Sequence, residues 1–146
     1  MQTTESIGKY LALLHRQSAL YVQRELIEFD INMSEISYLK NLCKNDGITQ
    51  KQLADEIFVD KAATTRTINN LVSKGYVNKI SNDDDKRKYN IYLTDKARII
   101  IDTINAKLSK WNKILEQGFD IDKVGNLIEV LKKMSKNAIE YNNFDK

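Results

Sequence analysis

The 146-residue chain is 42% hydrophobic and 29% charged, with a net charge of +3, enough for one domain with its own core and too short for two ordinary ones. No run approaches the roughly 18 apolar residues of a membrane span, and Gly8, Lys9, His15 and Arg16 interrupt the first apolar residues as no secretory leader is interrupted, so a cytoplasmic protein with no membrane partner is expected. A single cysteine and a single histidine, no phosphate-cradling glycine loop, and contiguous Asp83, Asp84 and Asp85 instead of spaced metal ligands argue against an enzyme, a metal site or a bound cofactor.

With no proline and five glycines, little in the chain breaks a helix. Residues 5–29 place Ile7, Tyr10, Leu11, Leu14, Tyr21, Val22 and Leu26 near one stripe, which predicts a first helix weakened at its start by Gly8. Ile36, Leu39, Leu42 and Cys43 continue the pattern over 34–44, closed by Asp46-Gly47. Thr49 and Gln52 have capping-box spacing for a short helix through Leu53, Ala54 and Ile57. Asp60 predicts an N-cap for a further helix ending at Gly75. These connections are of helix-turn-helix length. The period then changes: YVNKI (76–80) and YNIYL (89–93) have strand character and bracket the polar segment SNDDDKRK, which predicts a hairpin. Thr94 caps the next helix, carrying Ile101, Ile104, Leu108, Trp111 and Leu115 to Gly118; a last helix runs from Ile121 through Met134. The expected fold is mainly α with a small β-hairpin wing.

Charge concentrates in the middle. Residues 60–90 carry seven Lys or Arg against four Asp, a net of +3, whereas 1–59 carry six basic against eight acidic residues and 91–146 ten against eight. In the helix KAATTRTINNLVSK, Thr64, Ile68, Leu71 and Val72 fall at inward spacing and Ala62, Thr65, Arg66, Asn69 and Ser73 on the opposite side, which holds no carboxylate. Such a face suits a DNA major groove, where hydroxyl, amide and guanidinium groups address bases and phosphates; the alternative is an ordinary solvated face. Lys86, Arg87 and Lys88 would supply cations at the hairpin tip for phosphate or a narrow minor groove. Asn82, Asp83 and Asp84 would fold that tip by side-chain to backbone bonds and left-handed dihedrals, and Asp85 would orient the Arg87 guanidinium. The alternative for the tip is a solvated charged turn.

Two motifs carry a family resemblance. Asp85, Arg87, Leu93 and Thr94 match the wing signature of the MarR family of winged helix-turn-helix regulators, and VDKAATTRTINNLVSKGYV (59–77) is similar to its recognition helix. The likeness extends over nearly the whole chain. It implies a homodimer, with residues 33–94 as a winged helix-turn-helix on double-stranded DNA and residues 1–32 and 95–146 as the helical dimerisation region. It further implies repression at a pseudo-palindromic operator, with release by a small anionic or phenolic effector or by thiol oxidation in many members. The candidate DNA-binding residues are Lys61, Thr64, Thr65, Arg66, Asn69, Lys86, Arg87 and Lys88, with Asp85 orienting the wing. Ala62 and Ala63 depart from the family's usual Ser or Thr, and Asn69-Asn70 from its frequent Asp-Arg pair. The rival reading is a helical protein-protein interaction module whose winged helix binds no DNA.

Cys43, beside Leu39 and Leu42, reads as a core thiol and not as a redox sensor. Tyr10, His15, Arg16 and Tyr38, with Tyr21 nearby, are candidates for an effector pocket; the alternative makes the tyrosines and the histidine packing or interface residues with polar tips in water.

Overall fold

The computed structural model describes residues 5–144, in six α-helices and one two-stranded antiparallel sheet. Helix α1 (Ile7–Glu25) starts where the Ser6 hydroxyl accepts the Lys9 N–H at 3.1 Å. Its expected stripe divides: Tyr21, Val22 and Leu26 are buried, whereas Ile7, Tyr10, Leu11 and Leu14 are exposed. A single 3-10 turn (Ile27–Phe29) ends at left-handed Asp30 and leads to α2 (Met33–Lys44), which opens with a capping box made by Asn32 and Glu35. Thr49 and Gln52 form the second box, at the start of α3 (Gln50–Ile57), and Asp60 accepts the Ala63 N–H at 2.8 Å to start α4 (Lys61–Ser73). Gly75 follows at φ +80°, a conformation that costs glycine least.

Strands β1 (Val77–Ser81) and β2 (Tyr89–Leu93) pair from Val77 with Leu93 to Ser81 with Tyr89. The turn before α3 bridges to the free edge of β2: the Gly47 N–H donates to Ile91 O at 2.8 Å and the Ile91 N–H to Ile48 O at 2.9 Å. Gly47 has φ +81°, and a Cβ there would lie 2.7 Å from the Tyr92 ring. Helix α5 (Asp95–Leu115) starts at Thr94, whose hydroxyl accepts the Ala97 N–H and donates to Gly75 O. It is braced to α1 by the Lys107 ammonium on Glu25 at 2.9 Å and by the Tyr21 hydroxyl on Lys107 O.

The described chain divides after Leu108 into two compact units. In the first, Leu39, Leu42, Leu53, Ile68, Leu71, Tyr76, Ile91 and Ile104 form a core in which each apolar side chain contributes about 1.5–3 kcal/mol. The second consists of the end of α5, Gly118 at φ +86°, and α6 (Ile121–Phe144). Along α6, Ile121, Leu127, Ile128 and Leu131 are exposed. No described helix is long and apolar enough to cross a membrane.

Candidate nucleic-acid interface

The wing tip is built around Asn82. Its side-chain oxygen accepts the N–H groups of Asp84 at 2.9 Å and Asp85 at 3.1 Å, and its own N–H donates to Lys88 O. The Asn82 amide donates to Asn90 Oδ1 at 2.8 Å, and the Asn90 amide to Gly47 O at 2.7 Å, so two side-chain amides tie the tip to the turn before α3. Asp83 and Asp84 do not share this work, since Asp83 makes only a 3.9 Å contact with Lys86; nor does the tip use left-handed residues, because Asp30 and Phe58 are the described non-glycine residues at positive φ. One asparagine supplies both acceptor bonds, so the turn closes without that strain.

Asp85 meets Arg87 as expected. Its two oxygens accept from Arg87 Nε at 3.0 Å and Nη2 at 3.1 Å, and Oδ1 also accepts the Arg87 N–H. The Arg87 guanidinium beside Asp85 holds that carboxyl below the usual carboxylate value, and the pairing lifts Arg87. The bidentate geometry fixes the guanidinium plane while its side chain stays 91% exposed. Lys86 and Lys88 are exposed beside it.

Arg87 and Lys88 line one groove of about 490 Å³ with Lys51, Lys61 and Lys79. Its one carboxylate, Asp55, is engaged by Lys51 at 3.1 Å. Tyr89 forms part of the wall, with Lys79 Nζ 4.6 Å from its ring centroid. The structure therefore brings Lys61, Thr64, Thr65, Arg87 and Lys88 together around a basic groove. Gln50, Lys51, Lys79 and Tyr89 were missed by sequence reasoning; the only signal for Lys79 and Tyr89 was their place in predicted strands flanking the tip.

On α4, Arg66 and Asn69 are exposed and Thr65 half-buried. Thr64 borders the same groove from below, fully buried as its inward spacing implies, with its hydroxyl 3.2 Å from the Tyr38 hydroxyl. Val72, expected inside, is 39% exposed because it lies beyond the last buried turn. The other hydroxyls are committed too. Thr65 donates to Lys61 O at 2.9 Å and accepts from Gln50 Nε2 at 2.9 Å, Thr67 donates to Ala63 O, and Ser73 donates to Asn70 O.

At the far end of α4, Lys74 donates to both oxygens of Glu35, at 2.8 and 3.0 Å, and to Asp30 O at 2.6 Å. Glu35 is 1% exposed, so this pair fastens the end of α4 to the start of α2 from inside. Lys74 also borders a cavity of about 990 Å³ lined by His15, Gln23, Asn32, Ser37 and Lys40. Of the four expected pocket residues, only His15 faces it. Tyr38 is buried on Thr64, Tyr10 is exposed and bonded to Glu5, and Arg16 lies elsewhere on the surface. Cys43 is exposed near the end of α2, contrary to a core position, because it sits one residue past the buried Leu42. Partial desolvation nevertheless pushes the thiol up, against the opposing pull of Arg98. That works against thiolate formation.

Helix, turn, helix and hairpin in this order, with cations on the wing, define a winged helix-turn-helix protein. The MarR family model matches residues 31–89. The HTH-type transcriptional regulator BilQ of Clostridioides difficile is 30% identical over 138 residues, covering 93% of each chain. Among solved structures, a MarR protein from Peptoclostridium difficile superposes with a TM-score of 0.92 at 28% identity, covering 100% of this chain and 96% of that one. A mutant MarR from E. coli, complexed with operator DNA, gives 0.79 at 26% identity, covering 88% and 92%. The chain belongs to the MarR family of transcriptional regulators, a family of regulators and not of enzymes.

Proposed function

We propose that the chain represses transcription as a homodimer on a pseudo-palindromic operator, with residues 33–94 binding DNA and residues 1–32 and 95–146 supplying the dimerisation region. The observation that carries this reading is the groove lined by Lys51, Lys61, Lys79, Arg87 and Lys88 beside a carboxylate-free helix face. Phosphate follows the cations, and α4 enters the major groove with Arg66 and Asn69 toward base edges. The wing carries Arg87 into the adjoining minor groove or onto its phosphates, with the guanidinium already oriented by Asp85. The exposed apolar residues of α1 and of α6 are each covered by a second copy of the chain.

Release by a small anionic or phenolic effector is part of the proposal. The cavity bordered by His15, Lys40 and Asp30 supports it, with the Lys40 ammonium as the cation for a carboxylate or phenolate, Lys74 being held by Glu35. Fluorescence anisotropy on duplexes selected from a random-sequence pool tests the whole reading. Specific binding whose affinity falls steeply with salt is expected. Failure to bind any duplex at low salt leaves the rival reading, a protein-interaction module.

A further inference from the structure

The recognition helix of a DNA-binding protein is ordinarily credited with reading bases through whatever polar groups it carries. On α4 the outward positions at spacing i, i+3, i+4 and i+7 are Ala62, Thr65, Arg66 and Asn69. Thr65 contributes the one hydroxyl of that set, and its proton is already spent on Lys61 O at 2.9 Å. The Gln50 amide holds the same oxygen from the opposite side at 2.9 Å. Phosphate oxygens and the N7, O6 and O4 atoms of bases only accept hydrogen bonds, so the Thr65 hydroxyl can serve none of them without abandoning Lys61 O. Toward those acceptors Thr65 presents only its methyl group; its oxygen keeps one lone pair, which the amino group of adenine or cytosine alone could use. Ala62, exposed one turn earlier, presents another methyl.

Resting on the reading of α4 as a DNA-recognition helix, we infer that its N-terminal half recognises thymine through the 5-methyl group, with Ala62 and Thr65 as the apolar contacts and Gln50 as the positioning residue that holds the Thr65 methyl outward. Discrimination by hydrogen bonding then falls to Arg66 and Asn69, farther along the same face. The thymine methyl is the one apolar group on the major-groove edge of a base pair, and a methyl on the protein is its natural complement.

Thymine and uracil differ only in that methyl, which allows a test with the intact protein. Each thymine of a selected operator is replaced in turn by uracil, and affinity is measured by anisotropy at fixed salt. Replacement at one or two positions per half-site should weaken binding about fourfold, the effect of leaving one methyl-sized apolar contact unmade. Thr65→Val keeps the methyl and should preserve the thymine-to-uracil ratio at those positions, whatever its absolute affinity. Thr65→Ser keeps the hydroxyl, lacks the methyl, and should bring the ratio to one at the position that Thr65 contacts. A uniform ratio of one across the operator in the wild-type protein overturns the inference while leaving DNA binding intact, as does a ratio that survives in Thr65→Ser and vanishes in Thr65→Val. Absence of binding to any duplex overturns the underlying reading and this one with it. The uracil scan on wild-type protein needs no variant to fold.

Discussion

Asp85 holds Arg87 through two side-chain hydrogen bonds, so the guanidinium reaches a DNA groove with little orientation left to lose. Arg87→Ala should weaken operator binding about tenfold and flatten the salt slope by about one unit. Its thermal unfolding should match the wild type, because the Arg87 side chain is 91% exposed. Asp85→Asn should act in the same direction and more weakly. The pH dependence follows from the depressed Asp85 carboxyl: the pairing is intact above the ordinary carboxylate range and is lost only as pH falls through the lowered folded-state value. Anisotropy from about pH 8 to about pH 5 should therefore show no loss of affinity from this pair. Glu35 and Lys74 present a different asymmetry. Lys74→Met strands a carboxylate that is 1% exposed and should cost about 3 kcal/mol in urea denaturation, whereas Glu35→Gln keeps an acceptor for a lysine that can turn to water and should cost about 1 kcal/mol.

Elements were easier to read than the bonds between them. The Thr49–Gln52 capping box and the Asp60 cap were visible because their signals lie within three residues along the chain, and the hairpin because its period changes from helical to alternating, whereas the Asn32–Glu35 box of the same spacing was missed. Thr49→Ala should accordingly cost about 1 kcal/mol, measured as a shift in the denaturation midpoint. The bridge from the Gly47 turn to β2 was not legible. It depends on Gly47, Ile48 and Ile91, more than forty residues apart, and on a short turn with no strand pattern of its own. Gly47→Ala should lower the melting temperature by several degrees, since it combines a left-handed backbone with a Cβ close to the Tyr92 ring. The candidate site was half legible for a related reason. Arg87 and Asp85 are neighbours in sequence, but Gln50 and Thr65 meet only after α3 and α4 pack, and neither segment by itself signals the bond between them. Cys43 and Val72, both expected inside and both exposed, show the limit of periodicity, which fixes a face and leaves depth to within a turn.

At the scale of the whole molecule the exposed apolar residues of α1 and α6 set the expectation. Sedimentation equilibrium at micromolar concentration should return twice the 16.9 kDa chain mass, and denaturation midpoints should rise with protein concentration. Deleting residues from Ile121 onward should abolish operator binding although Arg66 and Arg87 remain, because a lone half-site contact forfeits the added strength of two linked ones. The small sheet bears on how such a protein behaves when crowded. Strand β2 is bonded on both sides, by β1 and by the turn at Gly47, which leaves the outer side of β1 as the sheet's free border. That border is five residues long and carries Asn78 and Lys79 beside an exposed Ile80. Its shortness and its lysine discourage a second chain from adding a strand there, and Lys79 thus has a colloidal duty beside its place in the basic groove. Removing that charge should cost solubility at high concentration in a protein whose fold is unaltered.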